Sequence, residues 1–114
     1  MSELVTVSGI AASPGRRRAH ARVLPNASEF AQVRPGEILV TRFASPEVVL
    51  VLDRIAGLVT DQGGRLAHAV VVARELGVPA VVGTQTATEE FVTGSVVVLD
   101  GSLGTVRVVS EQPN

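Results

Sequence analysis

The sequence contains no cysteine, lysine, tryptophan or tyrosine, and each absence excludes a class of function. Without cysteine the chain has neither a disulfide nor a thiolate metal site. Because all ten basic residues are arginine, a lysine nucleophile, a Schiff base and a P-loop lysine are excluded as well. Three phenylalanines are the only aromatic residues, which leaves no stacking platform for single-stranded nucleic acid and argues against carbohydrate binding.

Strong net charge and long hydrophobic runs are also missing. A net charge of -1 gives no electrostatic basis for binding nucleic acid or a membrane surface. No apolar run reaches transmembrane length, and Met1-Ser2-Glu3 lacks the basic start of a secretory signal, so we expect a cytoplasmic protein. The 114 residues, 46% of them hydrophobic, suffice for one domain with one core. We therefore expect a single domain over residues 1–114, with a frayed tail over 110–114.

The residue pattern predicts strands that partly alternate with helices, which is typical of an α/β fold. Seven strands are predicted, over residues 4–8, 16–24, 37–42, 58–60, 78–82, 95–99 and 105–109. Residues 9–15 are interpreted as a loop, because Pro14 and Gly15 favour turns. Two main helices are predicted, one over residues 46–54 with Ser45 as its N-cap and one after Gly64. A shorter helix is expected around residues 89–91.

The most informative stretch is LVTDQGGRLAHAVVVARELGVPAVVGT, residues 58–84. Gly63-Gly64 interrupts a short apolar strand with backbone freedom that no other residue supplies. Helical spacing follows, and Gly77 and Pro79 then stop the helix. The residues that carry this spacing are Ala69, Val72, Ala73 and Leu76.

His68 is predicted to stand where the glycine turn becomes the helix. Unpaired N–H groups and the positive end of the helix dipole favour a bound anion there. The same field favours a neutral imidazole, which has a free ring nitrogen able to attack phosphorus. Gly63 and Gly64 allow the backbone to approach a phosphate closely, and Arg65 could neutralise its charge.

Structural interpretations compete with these functional ones. A histidine at a helix start is usually a cap or a surface residue. Asp61 lies in the turn before His68 and either orients the ring or fills a turn position. His20 and His68 lie on separate elements without metal-ligand spacing, so no metal site is predicted. On the strand 16–24, a two-residue period places Arg16, Arg18, His20 and Arg22 on one face, which is either solvated or docks a phosphate-bearing ligand or an acidic partner.

The stretch resembles the phosphohistidine (swivelling) domain of phosphoenolpyruvate-utilising enzymes, such as phosphoenolpyruvate synthase, pyruvate phosphate dikinase, enzyme I and rifampin phosphotransferase. The matching residues are Thr60, Gly63-Gly64, His68, Val71-Val72-Ala73-Arg74, Gly77 and Val78-Pro79-Ala80-Val81-Val82-Gly83. Ser13-Pro14-Gly15 and Asp100-Gly101 extend the resemblance over nearly the whole chain. Two residues depart from the pattern: Ala67 stands where the family has Ser, Thr or Cys, and Val70 replaces a smaller residue.

The resemblance implies the swivelling fold, three β/β/α layers with about seven strands and two main helices. It also implies that His68 carries the phosphoryl group, that Thr60 contacts this group, and that the loop at Ser13 lies near the histidine. Ala67 removes a side chain that can touch the phosphate or cap the helix, at a cost of about 1 kcal/mol for one hydrogen bond.

We therefore expect a phosphohistidine carrier that relays a phosphoryl group between a nucleotide-binding partner and an acceptor site. The chain is too short to hold either partner, so it would be a phosphotransferase component that is inactive alone. By the resemblance, an ATP-grasp-type protein would bind ATP and Mg²⁺, and a pyruvate- or acceptor-binding domain would receive the group. The alternative is a non-catalytic interaction or regulatory module that keeps the fold. A weaker third class is the small subunit of a swivelling-type dehydratase, against which the histidine motif argues.

Overall fold

The computed structural model describes residues 4–110. Eight strands form one continuous sheet: β1 (Thr6–Ser8), β2 (Ile10–Ser13), β3 (Arg16–Val23), β4 (Ile38–Phe43), β5 (Gly57–Gln62), β6 (Ala80–Val82), β7 (Val96–Asp100) and β8 (Thr105–Ser110). The α-helices are α1 (His68–Leu76) and α2 (Ala87–Glu90), and 3₁₀ helices span Ala27–Gln32 and Pro46–Val51. Within residues 4–110, no helix is long and apolar enough to cross a membrane.

The sheet has a parallel half and an antiparallel half that share β3. Its strand order is β1-β8-β7-β3-β4-β5-β6-β2, and β3, β4, β5 and β6 run parallel. The remaining pairs are antiparallel. Residues 16–20 of β3 pair with β7, whereas residues 21–23 pair with β4, so one strand passes from one half into the other.

Two apolar clusters on opposite sides of the parallel half define three layers. Leu58 on β5 belongs to the cluster that also contains Val70 and Ala73 of α1. Its neighbour Val59 belongs to the cluster that contains Leu99 and other residues of β7 and β8. Because successive side chains of a strand point to opposite faces, the parallel half is packed between the helices and the antiparallel half. The expected β/β/α layering is confirmed.

Several predicted elements differ from the structure. The predicted loop 9–15 contains β2, whose pairing with β6 is long-range and raises the number of strands to eight. The helix predicted over residues 46–54 is a 3₁₀ helix that ends at Val51. Ser45 is its N-cap residue, but the Ser45 hydroxyl makes no capping hydrogen bond. Ser110 ends β8, and residues 111–114 of the predicted tail lie outside the described residues.

Candidate functional site

The candidate site lies where β5 passes into α1. β5 lies between the parallel strands β4 and β6, and after Gln62 the chain turns through Gly63 and Gly64 to reach the helix. α1 begins at His68 and ends at Leu76, and the C-cap residue Gly77 has a left-handed backbone with a φ of 73°. His68 is exposed, whereas the following residues Ala69 and Val70 are buried. The ring therefore lies on solvent at the carboxyl edge of the parallel strands, which is where α/β proteins commonly bind ligands.

Some backbone N–H groups in the first turn of α1 are available to bind a ligand. The N–H groups of Val70 and Val71 donate to the carbonyl of Ala67, at 2.9 and 3.0 Å. Within residues 4–110, the N–H groups of His68 and Ala69 have no acceptor. The N-cap residue Ala67 has no side-chain oxygen that could accept a hydrogen bond from them. Two free amides at the positive end of the helix dipole suit an anion beside the His68 ring.

The two glycines of the turn differ in whether the backbone conformation requires glycine. Gly63 has a φ of 124°, which a residue with a side chain rarely adopts. Gly64 has no positive φ, and a Cβ added there would meet no atom within 4 Å. The backbone conformation therefore requires glycine at position 63, whereas position 64 has open space where a side chain would begin.

Thr60 and Asp61 are held inside the protein. Thr60 is buried, and its hydroxyl donates a hydrogen bond of 2.8 Å to the carbonyl of Gln62. Asp61 belongs to β5, so its interpretation as a turn residue is wrong. Both carboxylate oxygens of Asp61 accept hydrogen bonds from Thr88, which directs the carboxylate to α2. A phosphate contact of Thr60 stays a prediction, and it would require the hydroxyl to leave Gln62.

Ser13 and Arg65 line one groove between β2 and α1. The groove has a volume of about 400 Å³, and Arg74 also lines it. Arg74 donates from Nη1 to the carbonyl of Ala12, at 2.9 Å. Ser13 lies in β2, and its buried hydroxyl has no hydrogen-bond partner within residues 4–110. The structure thus brings two of the predicted site residues together on one flank of α1.

The sequence did not lead us to predict two features near the site. These are exposed apolar side chains and one left-handed backbone conformation. Leu66 is 90% exposed two residues before His68, and Phe43, which pairs with Gln62, is 54% exposed. A leucine between Arg65 and His68 in a glycine turn is a signal that could have indicated a contact surface. Gln85 has a φ of 73° and lines a pocket of about 530 Å³ together with Gly63. No sequence pattern indicates that conformation.

Residues 33–104 match the model of the family described as PEP-utilising enzyme, mobile domain. The chain belongs to this family, as the motif around His68 implied. It is 46% identical over 102 residues to the phosphoenolpyruvate synthase of Pyrococcus furiosus, covering 90% of this chain and 12% of that protein. It is 41% identical over 104 residues to the uncharacterized phosphotransferase YvkC of Bacillus subtilis, covering 91% of this chain and 12% of that protein. The chain thus spans about an eighth of the length of these relatives.

Two solved structures are similar to this chain. The solution structure of an Enzyme I protein is 31% identical, with a TM-score of 0.59, over 68% of this chain and 32% of that chain. The aconitase X of Thermococcus kodakaraensis has a TM-score of 0.67 over 93% of this chain and 99% of that chain, at 15% identity. The second similarity shows the fold alone.

Proposed function

We propose that the chain is a phosphohistidine carrier, one domain over residues 1–114, which accepts a phosphoryl group on a ring nitrogen of His68 and passes it on. The single observation that carries the proposal is the placement of His68, exposed at the start of α1 beside two amides that have no acceptor in the described part of the chain. Membership of the mobile-domain family supports the same chemistry. The phosphoryl relay itself rests on this geometry and on the resemblance.

In the proposed step, a ring nitrogen of His68 forms a bond to phosphorus while the bond from phosphorus to the donor's leaving oxygen breaks. The electron pair of that bond stays with the donor. In the second transfer an atom of the acceptor forms a bond to phosphorus, and the bond from phosphorus to the His68 nitrogen breaks and returns its electron pair to the ring. The N–H groups of His68 and Ala69 would hold the oxygens of the transferred group, and the open space at Gly64 would admit them. The chain's own share is therefore positioning and charge stabilisation.

The donor and the acceptor are proposed to belong to other domains. An ATP-grasp-type protein would bind ATP and Mg²⁺, and a pyruvate- or acceptor-binding domain would receive the group. The relatives support this division of labour, because the matched region is 12% of their length. These domains would act in trans or as further parts of a longer chain.

Labelling with phosphoramidate tests the histidine without any partner. In this reagent the phosphorus–nitrogen bond breaks, a new one forms to the imidazole, and ammonia leaves. We expect one phosphoryl group on the wild type and on His20→Ala, and none on His68→Ala, detected by intact mass. The label should be lost in acid and kept in alkali. A label of equal size on His68→Ala would overturn the assignment.

Gly64→Ala tests the backbone cradle separately from the fold. Because the added methyl group meets nothing within 4 Å, the free energy of unfolding should equal that of the wild type or exceed it slightly. The same methyl group would narrow the approach to the helix start, so labelling of His68 should slow by about tenfold. Labelling at the wild-type rate would show that Gly64 has no part in phosphate binding.

A second candidate is a non-catalytic interaction module, which the missing cap hydroxyl at Ala67 favours. Radiolabelled ATP, Mg²⁺ and candidate ATP-grasp proteins distinguish the two. A carrier acquires an acid-labile label that depends on His68. A stable complex that forms without any label would support the interaction module instead.

A further inference from the structure

The outer face of the antiparallel half carries a group of arginines that the phosphocarrier chemistry does not use. Arg16 and Arg18 lie on β3 and Arg107 lies on β8, and all three are exposed. In register, Arg18 is opposite Val98 of β7, and Val98 is opposite Arg107. Residues directly opposite in a sheet share a face, so the three arginines surround Val98. We call this surface the arginine face.

The arginines of this face lie close together. Arg18 and Arg107 are two strands apart, which places their backbones about 10 Å from each other. Arg16 follows Arg18 on the same side of β3, about 7 Å along the strand. Val98 between them is only 7% exposed although it points away from the core cluster. Long arginine side chains on both neighbouring strands would account for this low exposure, since their aliphatic parts can cover an apolar residue while the guanidinium groups stay in water.

The arginine face carries more positive than negative charge. Within residues 4–110 the one ion pair joins Glu37 to Arg22, which lies further along the same side of β3, beyond the three arginines. The nearest acid in register is Asp100, which is opposite Arg16. The Oδ1 atom of Asp100 accepts the N–H groups of Ser102 and Leu103, which ties this carboxylate to the β7–β8 turn. Three guanidinium groups and one carboxylate thus give this face a local positive charge in a chain whose net charge is -1.

We infer that the arginine face docks an acidic surface of a partner protein. Guanidinium groups bind carboxylates in a planar, two-pronged geometry, and arginine is enriched in protein interfaces. An apolar residue, Val98, between the arginines also suits such an interface, because interfaces combine apolar and charged contacts. Nucleic acid is disfavoured because this face has no aromatic side chain, and the chain has no overall positive charge.

The position of the face also fits a docking role. It lies on the antiparallel layer, whereas His68 lies on α1 at the edge of the parallel half. A partner held by this face would leave the His68 ring accessible. The inference is independent of the chemistry proposed for His68, so labelling of His68 and binding by the arginine face are separate measurements.

The test measures binding of the whole chain to fluorescent poly-L-glutamate by anisotropy at low salt. We compare Arg16→Gln/Arg18→Gln/Arg107→Gln with the control Arg34→Gln/Arg42→Gln/Arg54→Gln, which removes equal charge from exposed arginines elsewhere. The first variant should bind at least about tenfold more weakly, and the control should change by less than about twofold. Added salt should weaken binding of the wild type.

Three results would overturn the inference. Equal loss in both variants would show that only net charge matters. Tighter binding of duplex DNA than of poly-L-glutamate at the same salt concentration would assign the face to nucleic acid. A dimer in sedimentation that dissociates only in the first variant would assign the face to a second copy of this chain. Cooperative unfolding of both variants in urea checks that they fold, since substitutions at exposed positions change stability little.

Discussion

The Asp61 carboxylate holds the first turn of α2. Its Oδ1 atom accepts the backbone N–H of Thr88 at 2.9 Å, and its Oδ2 atom accepts the Thr88 hydroxyl at 2.5 Å. Backbone hydrogen bonds reinforce this connection. The N–H of Thr84 donates to the carbonyl of Thr60, and the N–H of Gln85 donates to the carbonyl of Asp61. The end of β5, which leads into the glycine turn, is thus braced by the segment that begins α2.

The first prediction concerns this brace. Asp61→Ala should lower the free energy of unfolding by about 2–3 kcal/mol, because it removes two hydrogen bonds to a buried charged group. Thr88→Val, which removes only the hydroxyl donor, should lower it by about 1–2 kcal/mol. Since both act on one contact, the double variant should lose about 1 kcal/mol less than the sum, as measured by urea unfolding. Strict additivity would show that the two side chains are not coupled.

The second prediction concerns Gln85, the one non-glycine residue with a positive φ within residues 4–110. A side chain in this left-handed conformation costs about 1–2 kcal/mol, whereas glycine costs about 0.5–1 kcal/mol in backbone entropy. Gln85→Gly should therefore raise the free energy of unfolding by about 0.5–1 kcal/mol. The control Gln62→Gly, in a strand, should lower it by a similar amount. A less stable Gln85→Gly variant would mean that the glutamine side chain makes compensating contacts.

The glycine turn and the helix after it could be predicted because the signals are local. Gly77 ends α1 as predicted, with a positive φ that glycine adopts without strain. The buried face of α1 differs in part from the predicted one. Val70 is fully buried, whereas Leu76 is 57% exposed near the end of the helix. Spacing indicates the period of a helix, but the neighbouring layer determines which residues become covered.

The elements that were missed depend on contacts distant in sequence. β2 was interpreted as part of a loop because Pro14 and Gly15 follow, and only its pairing with β6 makes it a strand. Asp61 was placed in a turn because polar residues follow Thr60, yet its partner Thr88 is 27 residues away. The positions of His68 at the helix start and of the glycines in the turn before it could be predicted. The surroundings of Thr60, Asp61 and Ser13 could not, because tertiary packing decides where their polar atoms point.

The third prediction concerns Ala67, the N-cap residue of α1. Ala67→Ser should raise the free energy of unfolding by about 0.5–1 kcal/mol, because a hydroxyl at this position can accept a hydrogen bond from the first turn. Leu66→Ser places the same side chain one residue before the cap, and Leu66 is 90% exposed, so this control should leave stability unchanged. Thermal and urea unfolding measure both. An equal gain in the two variants would rule out a capping effect.

The fourth prediction concerns the pair of Arg22 and Glu37, which joins β3 to the residue that precedes β4. Nε and Nη2 of Arg22 donate to the two carboxylate oxygens of Glu37, each at 2.9 Å, and the N–H of Arg34 donates to the same carboxylate at 2.7 Å. Burial alone would raise the pKa of Glu37, but the hydrogen bonds from Arg22 and Arg34 outweigh it and lower this pKa below its ordinary value of 4.5.

A lowered pKa in the folded state fixes the sign of the pH effect. The unfolded chain binds a proton at Glu37 more readily, so this carboxylate stabilises the fold above its unfolded pKa, and the stabilisation is lost as the pH falls through the folded pKa. Glu37→Gln should therefore cost about 2 kcal/mol near neutral pH, and its difference from the wild type should shrink steadily in acid below the ordinary pKa of glutamate. The exposed Glu47→Gln removes the same charge elsewhere and serves as the control, which should change the free energy of unfolding near neutral pH by less than about 0.5 kcal/mol. If the difference for Glu37→Gln stays constant in urea unfolding from neutral pH into acid, the pair is not the source of the acid sensitivity.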